Sequence, residues 1–377
     1  MIDLKPTTTL LSIQAMLEFD RDHVGISDEV ATAYHHHILD RYQYFKTSIR
    51  TQSPEAFNDF IVLESRVPFT GFRSLLKAPR AINLLKKVTE ANVLQVAKIF
   101  GQFQRAEIAR AEQKFDPNHA SALWSAKGDY LIRYNATTQA FAEYNFETLP
   151  NGILIDCFSP AAELIRNMNG QELQPFSVEA YAGIVQHIKD CVSPIHNAGA
   201  FAIVDRFVEA IVVRQIKDGA AGKAYFSSGT ISDLLRQINL ITFDLKAVPK
   251  EEITDSLIHE AIHSLLGILD DLNHWMPDEK EFPGVMSRAV SPWSGNTVLL
   301  QAMLHAIFIW YGLFFFWHNA KKLDAYDNTF ADKQIGIIVK GFRLFEPEKY
   351  FRAHDVYLED YLVEIYSGMR RKILSMA

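Results

Sequence analysis

The chain reads as mainly α with a small β element (α+β), and three observations carry that reading. Apolar residues recur at three- and four-residue spacing, with few glycines between them, over residues 12–19, 27–45 and 81–115. That is the period of amphipathic helices. Strict alternation is confined to short runs: Tyr130-Leu-Ile-Arg-Tyr134 and residues 140–146 flank a polar stretch at 135–139, which predicts a hairpin. Finally, an alternating run at 238–245 leads into a helix over 255–267, and a long apolar helix follows over 298–318.

Taken in order, residues 1–125 form a helical N-terminal region. Within it, Tyr34-His35-His36-His37 resembles a metal tract. Three consecutive histidines on a helix point in three directions, so they read as a helix face instead. Residues 126–195 hold the hairpin, a turn at Leu149-Pro150-Asn151-Gly152 and helical patterns at 161–168 and 178–190. Residues 196–377 form a third region. Its apolar runs at 201–204 and 210–213 fit buried strands or helix pieces equally, because periodicity alone does not decide for runs this short. A loop is expected at 218–222, a short strand entering a turn at 224–230, a loop-rich stretch with Pro277, Pro283, Gly284 and Pro292 at 271–293, and amphipathic helix again at 331–376.

At 377 residues the chain suits one large domain or two ordinary ones, and 48% hydrophobic against 22% charged residues predicts a sizeable core. A net charge of −7 argues against non-specific binding to nucleic acid or to an anionic membrane. Cys157 and Cys191 make no disulfide framework and lack CxxC spacing, so two reduced thiols are expected. The N-terminus has no basic region followed by an apolar run, so no signal peptide is expected and the expected location is cytoplasmic. The 298–318 run is long enough to span a bilayer. It also carries Gln301 and His305, which favours the central helix of a soluble core.

The most informative stretch is His259-Glu260-Ala261-Ile262-His263, a His-Glu-x-x-His pattern. On a helix of 3.6 residues per turn, histidines four apart share one face and can reach one divalent ion. Glu260 projects nearby, where a carboxylate serves as general base on a metal-bound water or orients the site. Glu251, Glu252 and Asp255 favour the helix N-terminus, and the apolar neighbours of the histidines predict burial. Two histidines need a third protein ligand. Glu279 and Glu281 have a suitable separation but lie in an acidic loop. His274 and His318 are weaker. His305, the lone polar ring of the apolar helix, ranks first.

These residues resemble a family of bacterial proteins known for its HExxH motif, associated with peptide natural-product pathways. Four features carry the resemblance: Ser227-Ser-Gly-Thr230 followed by the strand ending at Phe243; Leu257-Ile-His-Glu-Ala-Ile-His263; the Ser291-Pro-Trp293 motif; and Leu304-His305 in an apolar helix. They cover residues 195–320. The alternating strand at 238–245 just before the HExxH helix gives a zincin-like order of strand and metal helix, packed on the long apolar helix. The resemblance implies an iron(II) and 2-oxoglutarate-dependent hydroxylase acting on a small molecule, an amino acid or a peptide. In the family, arginine follows Ser-Pro-Trp and suits a bidentate pair with the keto acid. Here Ser294 holds that place. Arg288, with Trp293 and Ser294, becomes the candidate co-substrate wall, or the co-substrate differs.

The residue pattern leaves the chemistry open. An iron oxygenase needs open cis positions, with Glu260 outside the ligand set. A zinc(II) peptidase needs one water position and Glu260 as base. A non-catalytic structural protein with a buried histidine pair is the third reading. The sequence is silent on oligomeric state.

Overall fold

The computed structural model describes residues 6–19, 24–115, 121–160 except 136 and 139, 172–217, 225–276, and 287–377 except 325, 355 and 357. The helices are α1 (Pro6–Met16), α2 (Val24–Gln52), α3 (Pro54–Arg66), α4 (Phe69–Lys77), α5 (Pro79–Lys86) and α6 (Val93–Glu112). The strands β1 (Ala122–Trp124), β2 (Tyr130–Asn135), β3 (Ala140–Asn145), β4 (Leu154–Asp156) and β5 (Leu173–Gln174) follow. Next come α7 (Val178–Asn197), α8 (Phe201–Phe207), β6 (Ala210–Ile216), β7 (Phe226–Gly229) and β8 (Gln237–Thr242). The chain ends with α9 (Lys250–Asn273), β9 (Arg288–Val290), β10 (Thr297–Leu299), α10 (Leu300–Lys322), α11 (Asn328–Leu344), α12 (Pro347–Arg352) and α13 (Asp360–Met376). The class is mainly α with small β elements, as the periodicity predicts.

Two compact units emerge, each assembled from separate stretches: residues 1–33, 188–207 and 249–377 form the first, and 34–187 with 208–248 the second. The helical patterns expected at 161–168, the loop at 218–222, and Glu279, Glu281, Pro277 and Pro283 lie outside the described residues.

The first unit is helical with one hairpin. Helix α9 packs on α10 at Gly312, where an added Cβ would stand 2.7 Å from the Ile262 Cδ1. The missing side chain is therefore what lets the helices approach. The expected end of α9 at Gly267 is corrected: the helix continues to Asn273. Ile268 and Leu269 are buried and continue the apolar stripe, which outweighs a helix cost of about 1 kcal/mol for one glycine. The helix stops at His274, which adopts left-handed φ 49° and donates its N–H to the Asp270 carbonyl at 2.8 Å. Helix α10 begins at Leu300 because Val298 and Leu299 pair with β9. It is the one helix among the described residues long and apolar enough to span a membrane, and 72% of its most apolar window is buried. A soluble protein is compatible with that burial. Tyr366 Oη donates to the Leu304 carbonyl and ties α13 to α10.

The second unit carries a 3-stranded antiparallel sheet, β1-β2-β3, and a 5-stranded mixed sheet. In the mixed sheet β4, β6 and β8 run parallel, while β7 and β5 pair antiparallel with β8 and β6. The two undecided apolar runs separate here. Residues 201–204 belong to α8, and 210–213 to β6, where Ile211, Val212 and Val213 are wholly buried. A β-branched run buried on both faces suits a central parallel strand. The expected continuous helix at 81–115 breaks between α5 and α6. Asn92 Oδ1 accepts the Thr89 N–H at 2.8 Å, and its amide donates to the Lys87 carbonyl. Cys157 and Cys191 are both free and buried, and burial pushes each thiol up to about 12.

Candidate metal centre

Helix α9 presents His259 and His263 on one face, and α10 presents His305 to them. His263 Nδ1 lies 3.2 Å from His305 Nδ1. The ring centroids stand 5.1 Å apart for His259 and His263 and 5.4 Å apart for His263 and His305. Two imidazole nitrogens on one ion, each at about 2.0–2.1 Å, stand roughly 2.9–3.4 Å from each other, with ring centres near 5 Å. The spacings match. With the rings as they stand, no group of three or more His, Cys, Asp or Glu side chains among the described residues meets at one point. A divalent ion therefore needs the His259 ring to turn toward the pair.

The donor set suits such an ion. His305 Nε2 is buried and bonds to nothing. An orphan of this kind costs about 1–3 kcal/mol and calls for an explanation. Burial, reinforced by the neighbouring ring, pushes His305 down to about 3. Burial does the same to His263, with His259 adding to it and Glu260 opposing, so that it titrates at about 4. Both rings are thus neutral at pH 7, the form that ligates metals. They keep a partly exposed edge, and the contact between them is part-buried.

Three groups that the motif does not announce complete the site. Trp275 stacks on His305, with centroids 5.5 Å apart and planes at 14°, and its Nε1 donates to the Leu266 carbonyl at 3.1 Å. It holds the plane of the His305 ring. Trp310 meets His259 edge-on at 6.4 Å. Asp255, one turn before His259, accepts from Trp317 Nε1 at 2.6 Å, and burial raises its pKa while Trp317 and His259 oppose the rise. Its position four residues before His259 is a readable signal, since carboxylates commonly orient histidines of candidate metal sites.

The other expected residues are dispersed. Glu260 is buried, at 3% exposure. Trp293 is buried and stacks on Trp310 at 6.1 Å, so it joins the site through that ring. Arg288 is exposed on β9, in register with Leu299, and no hydrogen bond or ion pair links its side chain to another described residue. Ser294 is exposed in the hairpin turn and accepts the Asn296 N–H at 3.2 Å. His274 is exposed at the end of α9. His318 stacks on Phe314, on the order of 20 Å along α10 from His305.

No protein-family model matches the chain, and no curated protein matches it.

Proposed function

We propose that this protein is a metal-dependent oxygenase, an iron(II) and 2-oxoglutarate hydroxylase acting on an amino acid or peptide in a biosynthetic pathway in the cytoplasm. The observation that carries the reading is the Nδ1 to Nδ1 approach of His263 and His305 at 3.2 Å. His259, His263 and His305 would hold iron(II), which would activate dioxygen as the oxidant; one oxygen atom would enter an unactivated C–H bond and the other would go to 2-oxoglutarate, oxidised to succinate with loss of carbon dioxide. The zincin-like element belongs to this proposal: β8 precedes α9 in the chain as strand precedes metal helix in that arrangement.

The chain's own residues have distinct tasks in it. The two half-buried histidines stay neutral and offer lone pairs without first losing a proton. Trp275 fixes the His305 plane. Glu260 is 3% exposed, and a general base must reach a water and exchange protons with solvent. Its burial therefore supports a positioning role and favours the oxygenase over a zinc peptidase. Arg288 offers a planar two-bond fork for a carboxylate, with Trp293 and Ser294 on the same hairpin.

The test is elemental analysis of protein purified without added metal, paired with 2-oxoglutarate consumption. Bound iron and 2-oxoglutarate turnover that falls in Arg288→Lys support the reading. Glu260→Gln should then weaken metal affinity about 10–100-fold. Bound zinc with peptide cleavage, abolished in Glu260→Gln at unchanged affinity, replaces the oxygenase by the peptidase.

A further inference from the structure

In the second unit one buried carboxylate faces three cations. Glu209 Oε1 lies 2.8 Å from Arg236 Nη2 and 3.9 Å from Lys77 Nζ, and its Oε2 lies 3.1 Å from Lys127 Nζ. The Glu209, Arg236 and Lys127 side chains are each 11% exposed, whereas Lys77 keeps 35%. Among the described residues three cations thus share one carboxylate, with little solvent around Glu209, Arg236 and Lys127. Desolvating a charge is expensive, so cations gathered in this way attract a further anion.

The cluster is also rigid. Arg236 adopts left-handed φ 74°, a conformation disfavoured for a residue with a side chain. Its carbonyl accepts the N–H groups of Glu209 at 2.8 Å and Ala210 at 3.3 Å, so the backbone holds Arg236 against Glu209. Lys127 also donates to the Gly152 carbonyl. Lys77 is different. At 3.9 Å from Glu209 it is beyond hydrogen-bond length, so its three N–H donors remain available toward the exposed side. Two more basic groups stand in the same field. Burial, then Lys77, His36, Arg73 and Arg236, lower the pKa of His35. Burial also lowers that of Lys77, which Glu209 opposes and Arg236, Arg73 and Lys127 reinforce. The histidine tract of α2 thus acquires a setting: His35 belongs to a basic patch.

We propose that Lys77, Lys127 and Arg236, with Arg73 and His35 at the margin, form a binding site for a phosphate group, free or esterified to a small molecule. A dianion adds negative charge beside the three cations, accepts the unused Lys77 donors, and can enter on the side where Lys77 is exposed. Arginine and lysine at fixed positions are the usual chemistry of phosphate recognition.

The test titrates the full-length protein with inorganic phosphate, and separately with phenyl phosphate, against chloride at matched ionic strength, followed by calorimetry. The expected result is saturable binding of one phosphate per chain. Lys77→Gln, on a partly exposed side chain, should weaken it at least tenfold. Lys87→Gln, which removes an equal charge paired with Asp233 outside the cluster, should leave it unchanged. Tighter binding of phenyl phosphate identifies an esterified ligand, and equal binding a free one. Absence of saturable binding, or equal loss in Lys77→Gln and Lys87→Gln, overturns the site.

Discussion

The histidine pair of the first unit and the Glu209 cluster of the second bury polar groups in opposite ways. His263 and His305 are kept neutral by burial and spend one nitrogen each on the other. Glu209 is kept charged. Burial raises its pKa, but Arg236, Lys127 and Lys77 outweigh that and hold it below the usual glutamate value of 4.5. A neutral pair carries little free energy of its own and can be rearranged around a ligand. A charged cluster depends on every member, because removing one leaves the rest uncompensated.

The sharpest way to break the comparison is Glu209→Gln. It leaves Arg236, Lys127 and Lys77 facing one another with no acid between them. Breaking a buried pair costs about 3–5 kcal/mol, and that loss is expected in urea denaturation near pH 7. Because the folded pKa of Glu209 is depressed, its stabilisation is complete above 4.5 and fades as pH falls below that value. The gap between parent and variant should therefore close in acid. Addition of phosphate should restore part of the lost stability at pH 7. Equal stability of the two proteins at pH 7 would mean that the cluster is well solvated and that the contrast with the histidine pair is unfounded.

Glu107 on α6 tests a third case in the second unit, a buried acid with weak support. Its Oε1 bonds to nothing, and Arg110 stands 3.6 Å from Oε2. Burial raises its pKa from 4.5 to about 7, with Arg110 opposing and Asp129 adding to the rise. Between those two values the folded protein keeps a proton that the unfolded chain has released. Stability accordingly falls as pH rises from 4.5 to 7 and is level beyond. At about 1.4 kcal/mol per pH unit, the cost reaches about 3 kcal/mol by pH 8. Glu107→Gln should match the parent at pH 4.5 and exceed it by up to about 3 kcal/mol at pH 8. A pH-independent difference would show that Glu107 is charged in both states.

The two sites also differ in how far the sequence exposes them. The i, i+4 spacing of His259 and His263 and the lone His305 in an apolar helix are local patterns with a geometric meaning, and in the fold the His263 ring stands beside each of the other two. The Glu209 cluster draws Lys77, Lys127, Glu209 and Arg236 from four separate segments. No local period links them, because a charge on a strand end or loop looks like any solvated residue until its neighbours are known. The same limit applies to β6. A four-residue apolar run does not reveal its partners, and only the pairing with β4 and β8 makes it a central strand. Gly267 misled for a related reason, since its local helix cost was smaller than the burial of the residues after it. The break between α5 and α6 was readable, because Thr89 and Asn92 are turn formers inside an otherwise apolar period.

The smallest expected effect concerns the histidine pair itself. In His263→Leu/His305→Leu both partners of the 3.2 Å contact are removed together, along with the orphaned Nε2 of His305. Replacing both members of a buried polar pair by apolar groups of similar size is nearly neutral or stabilising. In the presence of chelator, the double variant should lie within about 1 kcal/mol of the parent, on the stabilised side. Added iron(II) or zinc(II) then separates the two proteins. A ligand at a hundredfold its dissociation constant stabilises the folded state by about 2.7 kcal/mol, so the parent's urea midpoint should rise and the variant's should not. That combination, no loss without metal and no gain with it, is expected of residues retained for ligation. If instead the double variant is less stable than the parent by about 3 kcal/mol or more in chelator, beyond the 1–3 kcal/mol of an ordinary lost polar contact, the pair holds the α9 and α10 packing together. The structural reading of the His-Glu-x-x-His helix would then displace the metal centre.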